Sequence, residues 1–149
     1  MANFLSQVAK ITDHLYLSSF VGATDYNLTK FNISCIITVC KEVPKVEFKN
    51  IESVKLDVVD RPTESLAKYF DFVCDKINEV VNKKGVCLVH CVAGVSRSAS
   101  MILAYLMKYH KMNLKDAHSF VKSKRPFVSC FINFINFYTE KNLILIINR

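Results

Sequence analysis

The stretch "VHCVAGVSRSAS", Val89–Ser100, decides how this chain is read. An apolar run from Val86 to His90 has the character of a buried strand, and the segment from Ser96 to Lys111 reads as a helix. A strand that ends in Cys91, turns through "VAGVS" and enters a helix near Arg97 points several consecutive backbone N–H groups into one small hollow. Such a nest at a helix N-terminus binds phosphate. Gly94 permits a close backbone approach that a side chain would obstruct. Arg97 adds a planar fork that grips two phosphate oxygens together, as a lysine cannot.

The same positive environment acts on the thiol of Cys91. Helix N-termini and neighbouring cations favour the thiolate, which is the nucleophilic form of cysteine. Cys91 would then stand beneath the phosphorus of a bound phosphate ester. A cysteine and an arginine six apart are a weak signal by themselves, because Cys91 could simply end a buried strand and Arg97 could decorate a helix surface. The whole string at a strand-to-helix junction is far more specific.

Outward from this junction, strands are expected at about Ile33–Cys40, Ser53–Val59 and Val86–His90. The second and last are nearly continuous apolar runs, as in strands covered on both faces. The loosely alternating "ITDHLYLSS" near the start suggests a further strand at an edge. Between Thr63 and Lys84, Leu66, Phe70, Val73, Cys74, Ile77, Val80 and Val81 recur at helical spacing, with Pro62 before them and Gly85 after them. Asn113–Lys124 is a further helix, N-capped by Asn113 and closed before Pro126, and Phe131–Ile147 another. Alternating strands and helices predict an α/β domain: a central, mainly parallel twisted sheet flanked by helices. Ligands of such sheets bind beyond the carboxyl ends of the strands, where Asp60 and Cys91 fall.

With 149 residues and 51% hydrophobic side chains, the expected organisation is a single domain over 1–149, without linker or repeat. The six cysteines form no C-x-x-C pair, and most sit in apolar runs, so reduced thiols and a cytoplasmic or nuclear location are expected. The apolar stretch Phe127–Ile147 is interrupted by Glu140, Lys141 and several Asn. It is too short for a membrane span and reads as a core-packed helix whose exposed part leaves room for a weak homodimer contact. A net charge of +7 favours anionic partners, but the lysines are scattered and not interleaved with aromatics, so nucleic acid is not the expected partner.

"HCVAGVSRS" resembles the active-site signature of the protein tyrosine phosphatase superfamily, and its Ser-Arg-Ser ending is similar to the dual-specificity branch. "ITDHLYLSS", "VVDRPTESLAKYF" and "AYLMKYHKMNLKDAHSFVKSKRP" extend the resemblance to the small atypical dual-specificity phosphatases across most of the chain. The resemblance implies phosphoprotein substrates and no cofactor or metal. It makes Cys91 the phosphoryl acceptor and Arg97 the phosphate grip. Val92, Ala93, Gly94, Val95 and Ser96 would line the phosphate loop with Arg97. His90 would orient the thiolate through the surrounding backbone, and Ser98 would hydrogen-bond the departing sulfur. A satisfied core histidine and a helix-capping hydroxyl are the plainer roles for these two. Of Asp57 and Asp60 in "LDVVDRP", the family's loop favours Asp60 as general acid.

The chain departs from the family in "RPFVSCFINF". Cys130 and Phe131 stand where Pro and Asn are usual, and Asn133 where Gly is. The absence of lysine at Val92, Ala93, Val95 and Ser96 favours phosphoproteins over highly charged inositol lipids. Three other readings share the motif: a non-catalytic phospho-binding scaffold, a phosphatase of other phosphate esters, and a sulfur-transfer or arsenate-reducing enzyme.

Overall fold

The computed structural model describes residues 3–61 and 66–130. Five strands form one sheet: β1 Ala9–Thr12, β2 Leu15–Ser19, β3 Cys35–Val39, β4 Glu52–Leu56 and β5 Cys87–Cys91, in the spatial order β1-β2-β5-β3-β4. The β1–β2 pair is antiparallel and the other three pairings are parallel. The mainly parallel sheet is therefore present, and β5, with Cys91 at its carboxyl end, lies at its centre.

Side-chain alternation along β5 assigns the faces. Cys87 and Val89 join the larger core with α2 (Ala67–Asn82), α3 (Arg97–Tyr109) and α4 (Leu114–Lys124), whereas Leu88 joins Tyr16, Ile36 and Leu28 on the opposite face. Leu28 comes from the short helix α1, Asp25–Lys30. Helix α2 buries Phe70, Val73, Cys74, Ile77 and Val80, one stripe at helical spacing. Helix α3 is apolar or small nearly all round and is buried from Arg97 to Met107, as expected of a helix enclosed by other elements. Asn113 caps α4, its Oδ1 accepting the Asp116 N–H at 2.8 Å, and Arg125 adopts the extended backbone that a following proline favours.

The structure corrects three expectations. "ITDHLYLSS" is not one edge strand: β1 is the edge, and β2 is a fully buried interior strand paired in parallel with β5. Its serines obscured that status, yet Ser18 and Ser19 are satisfied internally, their hydroxyls donating to the carbonyls of Ser19 and Leu5. The strand expected over Ser53–Val59 ends at Leu56 and forms the other, half-exposed edge. Its chain then bends through two tight turns, Val58 N–H to Leu56 O and Arg61 N–H to Val59 O. The long helix ends at Asn82, and the residue in left-handed conformation behind it is Lys84 at φ 61°, not Gly85. Gly85 N–H returns to Val80 O at 2.9 Å and closes the cap. The helix expected over 131–147, and the start of the one expected from Thr63, lie outside the described residues. Among the described residues, no helix is long and apolar enough to cross a membrane.

Candidate active site

Residues 92–96 form a loop whose carbonyl groups all point away from its hollow. Val92 O accepts from Phe20 N at 3.2 Å, and Val95 O from Ser129 N at 2.9 Å. Ala93 O and Gly94 O accept from Nη2 and Nε of Arg125, at 3.1 and 2.8 Å. Ser96 O receives both the N–H and the hydroxyl of Ser100, at 2.8 and 2.9 Å. No peptide bond of the described chain is cis, so each N–H opposes the carbonyl of the preceding residue. The N–H groups of Ala93 to Arg97 therefore face inward. One of them is seen at work, with Gly94 N donating to Cys91 Sγ at 3.3 Å.

Gly94 is the point at which this geometry depends on residue type. Its φ is +69°, and a Cβ there would stand 2.4 Å from the Ser18 carbonyl carbon and oxygen and 2.6 Å from Ser19 N. Backbone cannot yield as a flexible side chain can, so only glycine fits.

Around the thiol, Ser98 Oγ lies 3.1 Å from Cys91 Sγ, and both residues are buried. Arg97, only 3% exposed, sends Nη1 to Glu42 Oε2 at 2.7 Å and to the Val58 carbonyl at 2.9 Å. Burial works to lower its pKa, but Glu42 together with Cys91 and Asp60 outweighs it and holds the guanidinium firmly charged. The same contact holds Glu42 below the ordinary carboxylate range. Arg97 Nε is buried and has no hydrogen-bond partner among the described residues. A buried N–H without a partner costs about 1–3 kcal/mol, which an oxyanion in the hollow would relieve.

The two candidate carboxylates are separated by the turns after β4. Asp60 stands over the loop: its Oδ1 accepts from Ser96 Oγ at 3.4 Å, and its Oδ2 is 3.9 Å from Arg97 Nε. Asp57 turns outward into an ion pair with Lys55, which keeps its carboxyl below the usual range. His90 sits behind the thiol, its Nδ1 3.3 Å from the Cys91 carbonyl and its Nε2 2.8 Å from Thr38 Oγ1. A carbonyl only accepts, so Nδ1 carries the proton and Nε2 receives the Thr38 hydroxyl. Burial pushes the His90 pKa down, favouring this neutral ring. Burial also pushes Cys40 up, Cys74 up to about 12 and Cys130 up to about 11, which keeps them neutral core thiols.

The departing segment "VSC" supports the loop despite its unusual residues. Ser129 N–H holds Val95 O, Val128 is fully buried, and Cys130 is buried, with the Ser100 side chain, one helical turn into α3, opposing part of the rise in its thiol pKa. Sequence reasoning missed Glu42, Thr38 and Arg125. Glu42 and Thr38 carry no local signal, since only the sheet brings them to residues 55 and 52 positions away. The Arg-Pro pair drew attention to its segment, but nothing local showed that Arg125 would be fully buried beneath the loop.

The loop built on a central parallel strand, with cysteine at its base and arginine at its end, defines a cysteine-dependent phosphatase fold. Residues 15–142 match the family model described as dual specificity phosphatase, catalytic domain. The chain belongs to that family. It is 46% identical over 125 residues to dual specificity protein phosphatase 18 of Bos taurus, covering 83% of this chain and 66% of that protein. It is 45% identical over 121 residues to dual specificity protein phosphatase 21 of Homo sapiens, covering 80% and 64%. The chain thus spans just under two thirds of these relatives. A mouse putative dual specificity phosphatase complexed with zinc tungstate superposes with a TM-score of 0.85 at 26% identity, covering 93% of this chain and 87% of that one. A human tyrosine phosphatase-like serine/threonine/tyrosine-interacting protein superposes with a TM-score of 0.85 at 27% identity, covering 93% and 97%.

Proposed function

We propose that residues 1–149 form a single catalytic domain that dephosphorylates phosphotyrosine and phosphoserine or phosphothreonine in proteins through a cysteinyl-phosphate intermediate. The observation that carries this reading is the inward nest of N–H groups around Cys91 Sγ, beside an Arg97 Nε that has no hydrogen-bond partner among the described residues. Both are complementary to a tetrahedral dianion, and the tungstate in the mouse relative is an oxyanion of that shape.

In the first step the Cys91 thiolate forms the S–P bond as the ester P–O bond breaks, and Asp60 gives its proton to the departing phenolate or alkoxide. The N–H groups and Arg97 hold the phosphoryl oxygens, where charge is concentrated in the transition state. In the second step water attacks phosphorus, Asp60 takes a proton from it, and the S–P bond breaks. The Ser98 hydroxyl donates to the departing sulfur across the 3.1 Å contact. His90 acts on the thiolate indirectly, by holding the Cys91 carbonyl. The loop's lack of lysine favours phosphoproteins over inositol lipids, and the exposed position of Asp60 suits a cleft open to more than one phosphoresidue.

Replacing Cys91 with Ser tests the assignment. Turnover of an aryl phosphate and of phosphotyrosine and phosphothreonine peptides falls by at least about 10³-fold in Cys91→Ser, the scale on which loss of a nucleophile acts. Retained turnover moves the nucleophile elsewhere, and an inactive wild type that binds phosphopeptides makes the protein a scaffold.

A further inference from the structure

Beside the phosphate loop, on the sheet face away from α2 and α3, opens a pocket of about 110 Å³. Its floor is made by Thr38 and His90, both buried, and its rim by Phe20, Val43, Pro44 and Val46. We propose that this pocket is a specificity subsite that receives an apolar side chain of the phosphoprotein substrate, of leucine or methionine size, a few residues from the phosphorylated one. The proposal rests on the phosphatase reading above.

The pocket is continuous with the reaction centre. Phe20 N–H binds the Val92 carbonyl, so the rim is pinned to the phosphate loop itself, and the floor residue His90 immediately precedes Cys91. An extended peptide advances about 3.3 Å per residue, so a side chain within two or three positions of the phosphoresidue can reach the pocket.

Both nitrogens of His90 are already engaged, one with the Cys91 carbonyl and the other with the Thr38 hydroxyl. The floor therefore leaves a polar side chain little beyond the acceptor lone pairs of the Thr38 hydroxyl, and no charged residue among the described ones lines the walls. A polar occupant would leave most of its own groups unsatisfied, whereas an apolar one would not. Phe20 and Val46 stand 48% and 49% open to solvent, large apolar surfaces that a bound side chain would cover.

The test is a leucine walked through each of the three positions on either side of phosphotyrosine in an alanine-glycine peptide, assayed beside a simple aryl phosphate. Leucine at one position raises kcat/KM by about tenfold or more over alanine, the gain expected from burying such a side chain. Aspartate at that position loses the gain. In Val46→Asp, an exposed substitution, the leucine-to-alanine ratio falls to about one. If that variant does not fold, as judged by its melting curve, Pro44→Asp reads the same ratio. A flat leucine walk, with the aryl phosphate and peptides still turned over, overturns the subsite and leaves the phosphatase reading intact. A leucine preference that survives the rim substitutions places the subsite elsewhere and overturns it equally. No turnover of any substrate removes both readings.

Discussion

At the scale of single residues, two aspartates three positions apart have been given different surroundings by the turns after β4. Asp60 leans over Ser96 and Arg97, while Asp57 spends its charge on Lys55 at the surface. A general acid has to reach the leaving oxygen above the nest, and of these two aspartates Asp60 lies beside the loop, as the proposed role requires. In Asp60→Asn, kcat on a poor leaving group falls by about 10²–10⁴-fold, the usual worth of such a proton transfer, and the limb of the pH–rate profile that falls as pH rises flattens. Asp57→Asn changes kcat by roughly twofold or less, since its exposed ion pair contributes little. A larger loss in Asp57→Asn, read from the same profiles, would transfer the proton-donating role to it.

At the scale of elements, the loop is held from beneath by an arginine at the end of α4. Arg125 is fully buried and reaches the carbonyls of Ala93 and Gly94, and that of Gln7 at 2.9 Å, so one guanidinium ties the phosphate loop to the N-terminal segment. No carboxylate neutralises it in these contacts; burial lowers its pKa, and the Cys91 side chain opposes that shift. A lysine keeps the charge but not the fork, and it would leave buried carbonyls unpaired at about 1–3 kcal/mol each. Arg125→Lys is therefore destabilised by at least about 2 kcal/mol in urea unfolding. Its kcat drops about tenfold or more, because the inward N–H groups lose their alignment. Unchanged stability would mean that the loop holds its shape without this support.

At the scale of the whole molecule, His90 couples the sheet's centre to pH. Its folded pKa lies below its ordinary value of 6.5 because of burial, and the bond to the Cys91 carbonyl opposes this only in part. Between the folded and unfolded values the unfolded chain binds more protons, so stability rises with pH across that window. The contribution is fully present above about pH 6.5 and is lost as pH falls toward the folded value. The paired carboxylates Glu42 and Asp57 lose their contribution only at lower pH, below the ordinary carboxylate range. Melting temperatures measured from neutral pH down to about pH 5 decline in the wild type. They decline less in His90→Asn, and an identical decline in both would assign the dependence to another group.

How much of this was legible in the sequence depends on the range of the interaction. Helices α2 to α4, the strand entering Cys91 and the Asn113 cap were readable because periodicity and capping act over a few residues. The nearness of Gly94 and Arg97 to Cys91 was readable because one strand-to-helix turn contains them, whereas the role of Ser98 at the sulfur came only from the family resemblance. Buried β2 read as an edge because its serines find their partners inside the fold, information that composition does not hold.

What the sequence alone determined is the chemistry of the junction Val89–Ser100, since a strand, a glycine-permitted turn and a helix start follow from local sterics and hydrogen bonding. Only the tertiary structure decided what that junction faces: Glu42 on Arg97, Thr38 on His90, Arg125 beneath the carbonyls, and the Asp60 carboxylate beside Ser96 and Arg97. The reason is that parallel strands bring together residues more than fifty positions apart in the chain. Such meetings are set by sheet order and by the packing of α3 against the sheet, and no local pattern encodes either.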